Sequence, residues 1–146
     1  MIREARAEDI FQIVTMGRRF WESCPWREVG AYDPEGATVH IVEFIGSEDA
    51  GIFVIEQDGA LYGMFGLAKA DAWMADFSYA HEMFWWCEPR AAAEALPLLK
   101  RGEAWAAAQG LVMSMMRLDG QRDAALDRLY RMRGYKPMEH TYVRAV

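Results

Sequence analysis

The sequence predicts a mixed α/β (α+β) domain in which a mostly antiparallel central sheet is flanked by helices. Three observations carry that expectation. Two apolar runs, residues 51–57 and 60–69, meet across Asp58-Gly59, a strong hairpin signal. Residues 79–118 read strand, Pro89, helix, strand, which is the pattern of a βαβ unit. Amphipathic helical segments near the start and at 123–133 supply the covering layers. With 146 residues, 53% of them hydrophobic, the chain suits one domain over 1–146 with a sizeable core.

Taken in order, residues 2–5 form a short first strand. Ala7-Glu8-Asp9 then opens a helix in which Ile10, Ile13, Val14, Gly17, Phe20 and Trp21 recur at helical spacing. Its acidic start and Arg18, Arg19 near its end suit the helix dipole. Residues 23–34, with Pro25 and Pro34, form an irregular loop, and a second helix over 37–45 buries Val39, Val42 and Ile45. In the hairpin, Gly63 and Gly66 mark a bulge or a close backbone approach. Residues 70–78 are a loop anchored by Trp73 and Phe77, and 79–88 the next strand. Proline is tolerated near a helix start, so Pro97 places the next helix at 96–109, closed by Gly110. A Met-rich strand (111–118), a helix capped by Asp123 and a last strand (141–146) complete the order β-α-α-β-β-β-α-β-α-β.

The net charge of −6 argues against non-specific binding to nucleic acid or an acidic membrane, both of which need a basic footprint. Cys24 and Cys87 stand in no CxxC or Cys/His pattern, and reduced thiols in a cytoplasmic protein are expected. Residues 1–6 have no apolar leader core, and no run reaches membrane-spanning length. His40 and His140 lack partners at metal-ligand spacing, so no metal is expected.

A strand feeding a helix N-terminus is a place where backbone N–H groups hold phosphate. Here that passage is Pro89-Arg90-Ala91-Ala92-Ala93-Glu94-Ala95-Leu96-Pro97-Leu98-Leu99. Further on, Leu129-Tyr130-Arg131-Met132-Arg133-Gly134-Tyr135 sets a phenol one turn before a Gly-aromatic pair. Order and spacing together resemble the GNAT-type N-acetyltransferases. In that resemblance Arg90 takes the family's Arg position in the pyrophosphate turn. Ala91, Ala93 and Ala95 take its Gly positions, and Leu98-Leu99 its buried pair. It implies acetyl-CoA as co-substrate, bound by the backbone of Trp86, Cys87 and Glu88 and by the turn residues Arg90, Ala91, Ala92, Ala93 and Ala95. It also puts Tyr130 beside the thioester sulfur as general acid. The alanines keep their N–H donors but crowd an approaching diphosphate, and the Glu94 carboxylate repels one.

Glu82 interrupts an apolar strand, and simple alternation puts it on one face with Phe84 and Trp86. A desolvated carboxylate there suits a general base, whereas a solvated strand-end Glu82 has no such role. His81 falls on the other face. Cys87 reads as a packing residue. Trp26, Tyr32 and Trp73, on the two long loops, make an aromatic pocket for a cationic amine or else staple those loops to the core. The expected activity is acetyl transfer from acetyl-CoA to a primary amine on a small molecule or peptide. The alternative is a catalytically silent module of the same fold. Exposed aromatics and a terminal strand are compatible with a homodimer.

Overall fold

The computed structural model describes residues 1–120 and 123–144. Five strands form one sheet in the order β1-β2-β3-β4-β5: β1 (Ile2–Glu4), β2 (Ala50–Gln57), β3 (Ala60–Asp71), β4 (Ser78–Cys87) and β5 (Val112–Ser114). The first three pairings are antiparallel and β4–β5 is parallel. The βαβ crossover is made by α3 (Ala95–Ala108). Asp58 and Gly59 both have positive φ, as the tight β2–β3 hairpin demands.

Each face of the sheet has its own core. On one side α1 (Ile10–Ser23) and α2 (Pro34–Ile45) bury Ile13, Met16 and Ile41 against Ile52, Val54 and Met64. On the other, α3 packs Leu98 and Leu99 onto Phe53, Ile55, Phe65 and Leu67. The contiguous β2 burial from Ala50 to Ile55 follows from this double covering. The α2 face differs from the expected one. Asp33 caps the helix by accepting from the Glu35 and Gly36 N–H groups at 3.1 Å, so α2 starts at Pro34. Ile41 faces the core, while Val39 and Val42 are 56% and 50% exposed.

α3 approaches the sheet closely because Gly102 has no side chain. A Cβ there would lie 2.8 Å from Phe65 Cδ1 and 3.0 Å from Leu67 Cδ1, both groups fully buried. Gly102→Ala should therefore destabilise the fold by about 1–3 kcal/mol despite alanine's better helix propensity, measured by urea denaturation.

α4 (Asp123–Met132) takes Asp123 as its first helical residue rather than as the expected cap before it, and buries Tyr130. The last expected strand is not found: residues 141–144 pair with no strand, Tyr142 is 94% exposed, and residues 145–146 lie outside the described set. The expected β5 is also cut down, from 111–118 to Val112–Ser114. Among the described residues no strand pairs with β5 on its outer side, and Met113 anchors it to the α3-side core. Among the described residues no helix is long and apolar enough to cross a membrane.

Candidate active site

β4 and β5 part company early. Their ladder runs only over Tyr79↔Val112, Ala80↔Met113 and His81↔Ser114, so residues 82–87 of β4 continue without β5 beside them. Glu82 stands at the fork. It is 5% exposed, and its Oε2 accepts the Met116 N–H at 2.7 Å. Tyr130 Oη donates to the Met116 C=O at 2.9 Å. Both halves of one residue's backbone are thus tied by the carboxylate and the phenol expected to do chemistry.

The environment of these two groups is apolar. Burial pushes the Glu82 carboxyl up to about 8, against the smaller opposing pull of the Met116 N–H. Burial also raises the Tyr130 phenol well above its ordinary value, with the Glu82 and Tyr135 charges adding to it. Trp85 and Tyr135 flank Tyr130, with ring centroids at 6.3 and 5.5 Å.

The face expected for Glu82 is corrected. Gly66 pairs with Phe84 and Leu67 with Glu82, which leaves Met83 without a partner. That bulge resets the alternation. Glu82 therefore shares the α3 side with Leu67 and Trp85, while Phe84 and Trp86 pack on the α1–α2 side. His81, paired with Ala68, falls on the Phe84 side. Gly66 makes the bulge's neighbourhood fit, because a Cβ there would meet the Phe84 ring, at 2.6 Å from Cε1.

The strand-to-helix turn is wound up. Residues Pro89–Glu94 form a 3₁₀ helix running directly into α3. The Ala91 N–H donates to the Glu88 C=O at 2.9 Å, and the Ala95 N–H to the Ala92 C=O. Ala91 is 1% exposed. Arg90 lies over the Tyr62 ring, 4.0 Å from its centroid. The Glu94 Oε1 accepts from Gln57 Nε2 at 2.7 Å, and Glu88 is paired with Arg19. Glycine would have allowed an open loop here; alanine, a good helix former, closes it.

The other candidates scatter. Tyr32 Oη donates to the Val14 C=O at 2.7 Å and its hydroxyl lies against Gly17, which staples the loop to α1. Trp26 is 38% exposed on the short turn after α1, and Trp73 is 91% exposed between β3 and β4. No hydrogen bond or ring contact joins these three among the described residues. Cys87 has its thiol pushed up to about 12, first by burial and then by Glu94 and Glu88, so it is no nucleophile at neutral pH. Among the described residues no group of three His, Cys, Asp or Glu side chains is placed to hold a metal. Two participants escaped the sequence reading. Met116 acts through its backbone and leaves no residue-type signal. Gln57 could have been found from its place beside the Asp58-Gly59 turn.

No family model and no curated protein matches this chain. Solved structures do. The chain superimposes over 99% of its length on 95% of a predicted acetyltransferase from Clostridium acetobutylicum solved with acetyl-CoA, with TM-score 0.77 and 13% identity. It covers 97% of an aminoglycoside 6'-N-acetyltransferase from Acinetobacter haemolyticus with all of its own length, at TM-score 0.74 and 12% identity. A transcriptional regulator from Bacillus halodurans matches over 100% of this chain and 99% of its own, with TM-score 0.76 and 19% identity. The fold is that of the GNAT acetyltransferases.

Proposed function

We propose that the chain is an N-acyltransferase that moves an acetyl group from a thioester donor, acetyl-CoA in the simplest case, to a primary amine by direct attack. The observation that supports this most is the buried Glu82 carboxyl at the fork of β4 and β5. Its raised affinity for protons makes it a base matched to an amine near neutral pH. The open edge of residues 82–87 suits a pantetheine arm laid alongside as an added strand.

Glu82 takes a proton from the attacking nitrogen, directly or through one water. The carbon–nitrogen bond forms as the carbon–sulfur bond breaks, and the proton ends on the departing sulfur. Tyr130 faces that sulfur as acid. With its phenol raised so far, it stabilises the thiolate by donating a hydrogen bond more readily than by giving up its proton. To do so it must release the Met116 C=O. Tyr130→Phe should therefore lower kcat by about 10²-fold or less and leave KM nearly unchanged. An unaltered kcat would remove Tyr130 from the mechanism. The decisive assay is release of free thiol from acetyl-CoA on addition of a panel of primary amines, small molecules and peptides alike.

A second reading has its own support: a silent module of this fold, in which Glu82 and Tyr130 merely pin Met116 and the wound turn takes no ligand. Absence of thiol release with every amine, together with no binding of the donor, would select it. A cytoplasmic setting goes with either reading. The unpaired segment around Tyr142 and the free edge of β5 are the surfaces a homodimer would use.

A further inference from the structure

We propose that this protein recognises its acyl donor by the pantetheine arm and thioester alone, so that a nucleotide-free acyl-pantetheine serves about as well as acetyl-CoA. The inference rests on the transferase reading above and narrows its donor class. CoA has two ends, and the structure treats them differently.

At the pantetheine end, the fit is good. Residues 82–87 of β4 continue beyond the last pair with β5, and among the described residues no backbone hydrogen bond joins them to the segment that follows β5. An extended amide-bearing chain can take that edge, as a peptide does in strand addition. The thioester then lies near Glu82 and Tyr130.

At the diphosphate end, the fit fails on three counts. Backbone donors are spent first: the Ala91 and Ala95 N–H groups close turns of the helix itself. Space is filled next, since Ala91 is packed at 1% exposure where an open loop would present its amide. Charge is wrong last. Glu88 and Glu94 flank the turn, and both press on Cys87 strongly enough to oppose its ionisation. The local cations are already engaged, Arg19 with Glu88 and Arg90 on the Tyr62 face with a reach to Gln57 Oε1 at 3.5 Å. A diphosphate arriving here meets two carboxylates and few free donors.

In the transfer itself the amine nitrogen bonds to the acyl carbon and the carbon–sulfur bond breaks. Glu82 receives the amine proton and passes it on to the departing sulfur, which leaves as the free thiol of pantetheine. Nothing in that balance draws on the nucleotide. An enzyme that exploited the remote nucleotide for binding energy would lose much of its rate on a truncated donor.

The experiment compares acetyl-CoA with S-acetylpantetheine on the full chain, using one amine acceptor. The expected result is a ratio of kcat/KM within about tenfold. A larger preference for acetyl-CoA overturns the proposal while leaving the transferase reading intact. Calorimetry gives an independent readout. Pantetheine and CoA should bind with dissociation constants within about tenfold of each other, and adenosine 3'-phosphate 5'-diphosphate, the nucleotide half alone, should give no heat at millimolar concentration. Binding by that fragment overturns the proposal. Transfer from neither donor overturns the transferase reading and the proposal with it. As a second variant, Glu94→Gln should raise kcat/KM for acetyl-CoA about threefold and leave S-acetylpantetheine unchanged; an equal effect on both donors would place Glu94 in the fold rather than in donor choice, and overturn the charge argument.

Discussion

Glu82→Gln should lower amine acetylation by about 10²–10⁴-fold while the protein stays folded. Gln keeps the shape and can still accept the Met116 N–H, but it cannot take a proton. The same variant should reshape the stability profile. The carboxyl's ordinary value is 4.5 and the fold raises it to about 8. Between those values the native protein holds a proton that the unfolded chain gives up. Stability therefore falls as pH rises through that window, and levels off above it. The loss is on the order of 4 kcal/mol between about pH 5 and about pH 8, an upper bound set by the size of the shift. Glu82→Gln removes this slope. Urea denaturation of both proteins across the window measures it, and parallel curves would show that the carboxyl is not desolvated. In the activity assay, kcat/KM should climb with pH toward a plateau above about 8.

Asp9→Ala should cost about 3–5 kcal/mol, as much as emptying a fully buried core position. Asp9 is 3% exposed, and both its oxygens are used. Arg3 Nη1 and Nη2 donate to Oδ2 and Oδ1 at 2.7 and 2.9 Å, and the Arg6 N–H also donates to Oδ2, at 2.7 Å. Arg3 in turn bonds Glu56 on β2, which ties β1, β2 and the start of α1 into one knot. Removing Asp9 leaves a mostly buried guanidinium with Glu56 as its one carboxylate partner beside the Glu4 C=O, and takes the side-chain acceptor from the Arg6 N–H. The Arg3 bond, chiefly, holds the Asp9 carboxyl below its ordinary 3.8. Its contribution is thus fully present above about pH 4 and is lost as acid titrates the folded protein. The variant should lose both neutral-pH stability and part of the acid limb of the unfolding curve. A drop under about 1 kcal/mol at neutral pH would mean that the Arg3–Glu56 pair suffices.

Local rules are enough to place much of this fold. Asp58-Gly59 located the hairpin because only a few residues tolerate positive φ in so tight a turn. Pro97 and Gly110 bracketed α3 to within a residue or two. Tyr130 stands out by spacing and Glu82 as a charge inside an apolar run, and the fold brings them to the same backbone residue. What failed depended on geometry that has no local signature. An extra residue in a strand, such as Met83, looks like any other until its pairing is seen. Val39 and Val42 fall on the outer side because Ile41 takes the inner position, a choice of face that three apolar residues so close together leave open. The expected last strand has β-forming residues, yet residues 141–144 find no partner edge, and propensity without pairing makes no strand. The state of the Ala-rich turn was undecidable from composition, since the same alanines serve an open cradle or a closed coil.

The unpaired Met83 has a consequence for how β4 tolerates change. A strand that stays in step shows one rhythm of sensitivity, inner positions intolerant and outer ones permissive, from end to end. This one misses a beat. A saturation scan should find the two halves of Ser78–Cys87 in opposite phase, with the break at Met83. Deleting that one residue would bring the halves into step. Glu82 would keep its place opposite Leu67 on the α3 side, beside the phenol that shares its backbone anchor, because the pairs on either side of Met83 already alternate correctly without it.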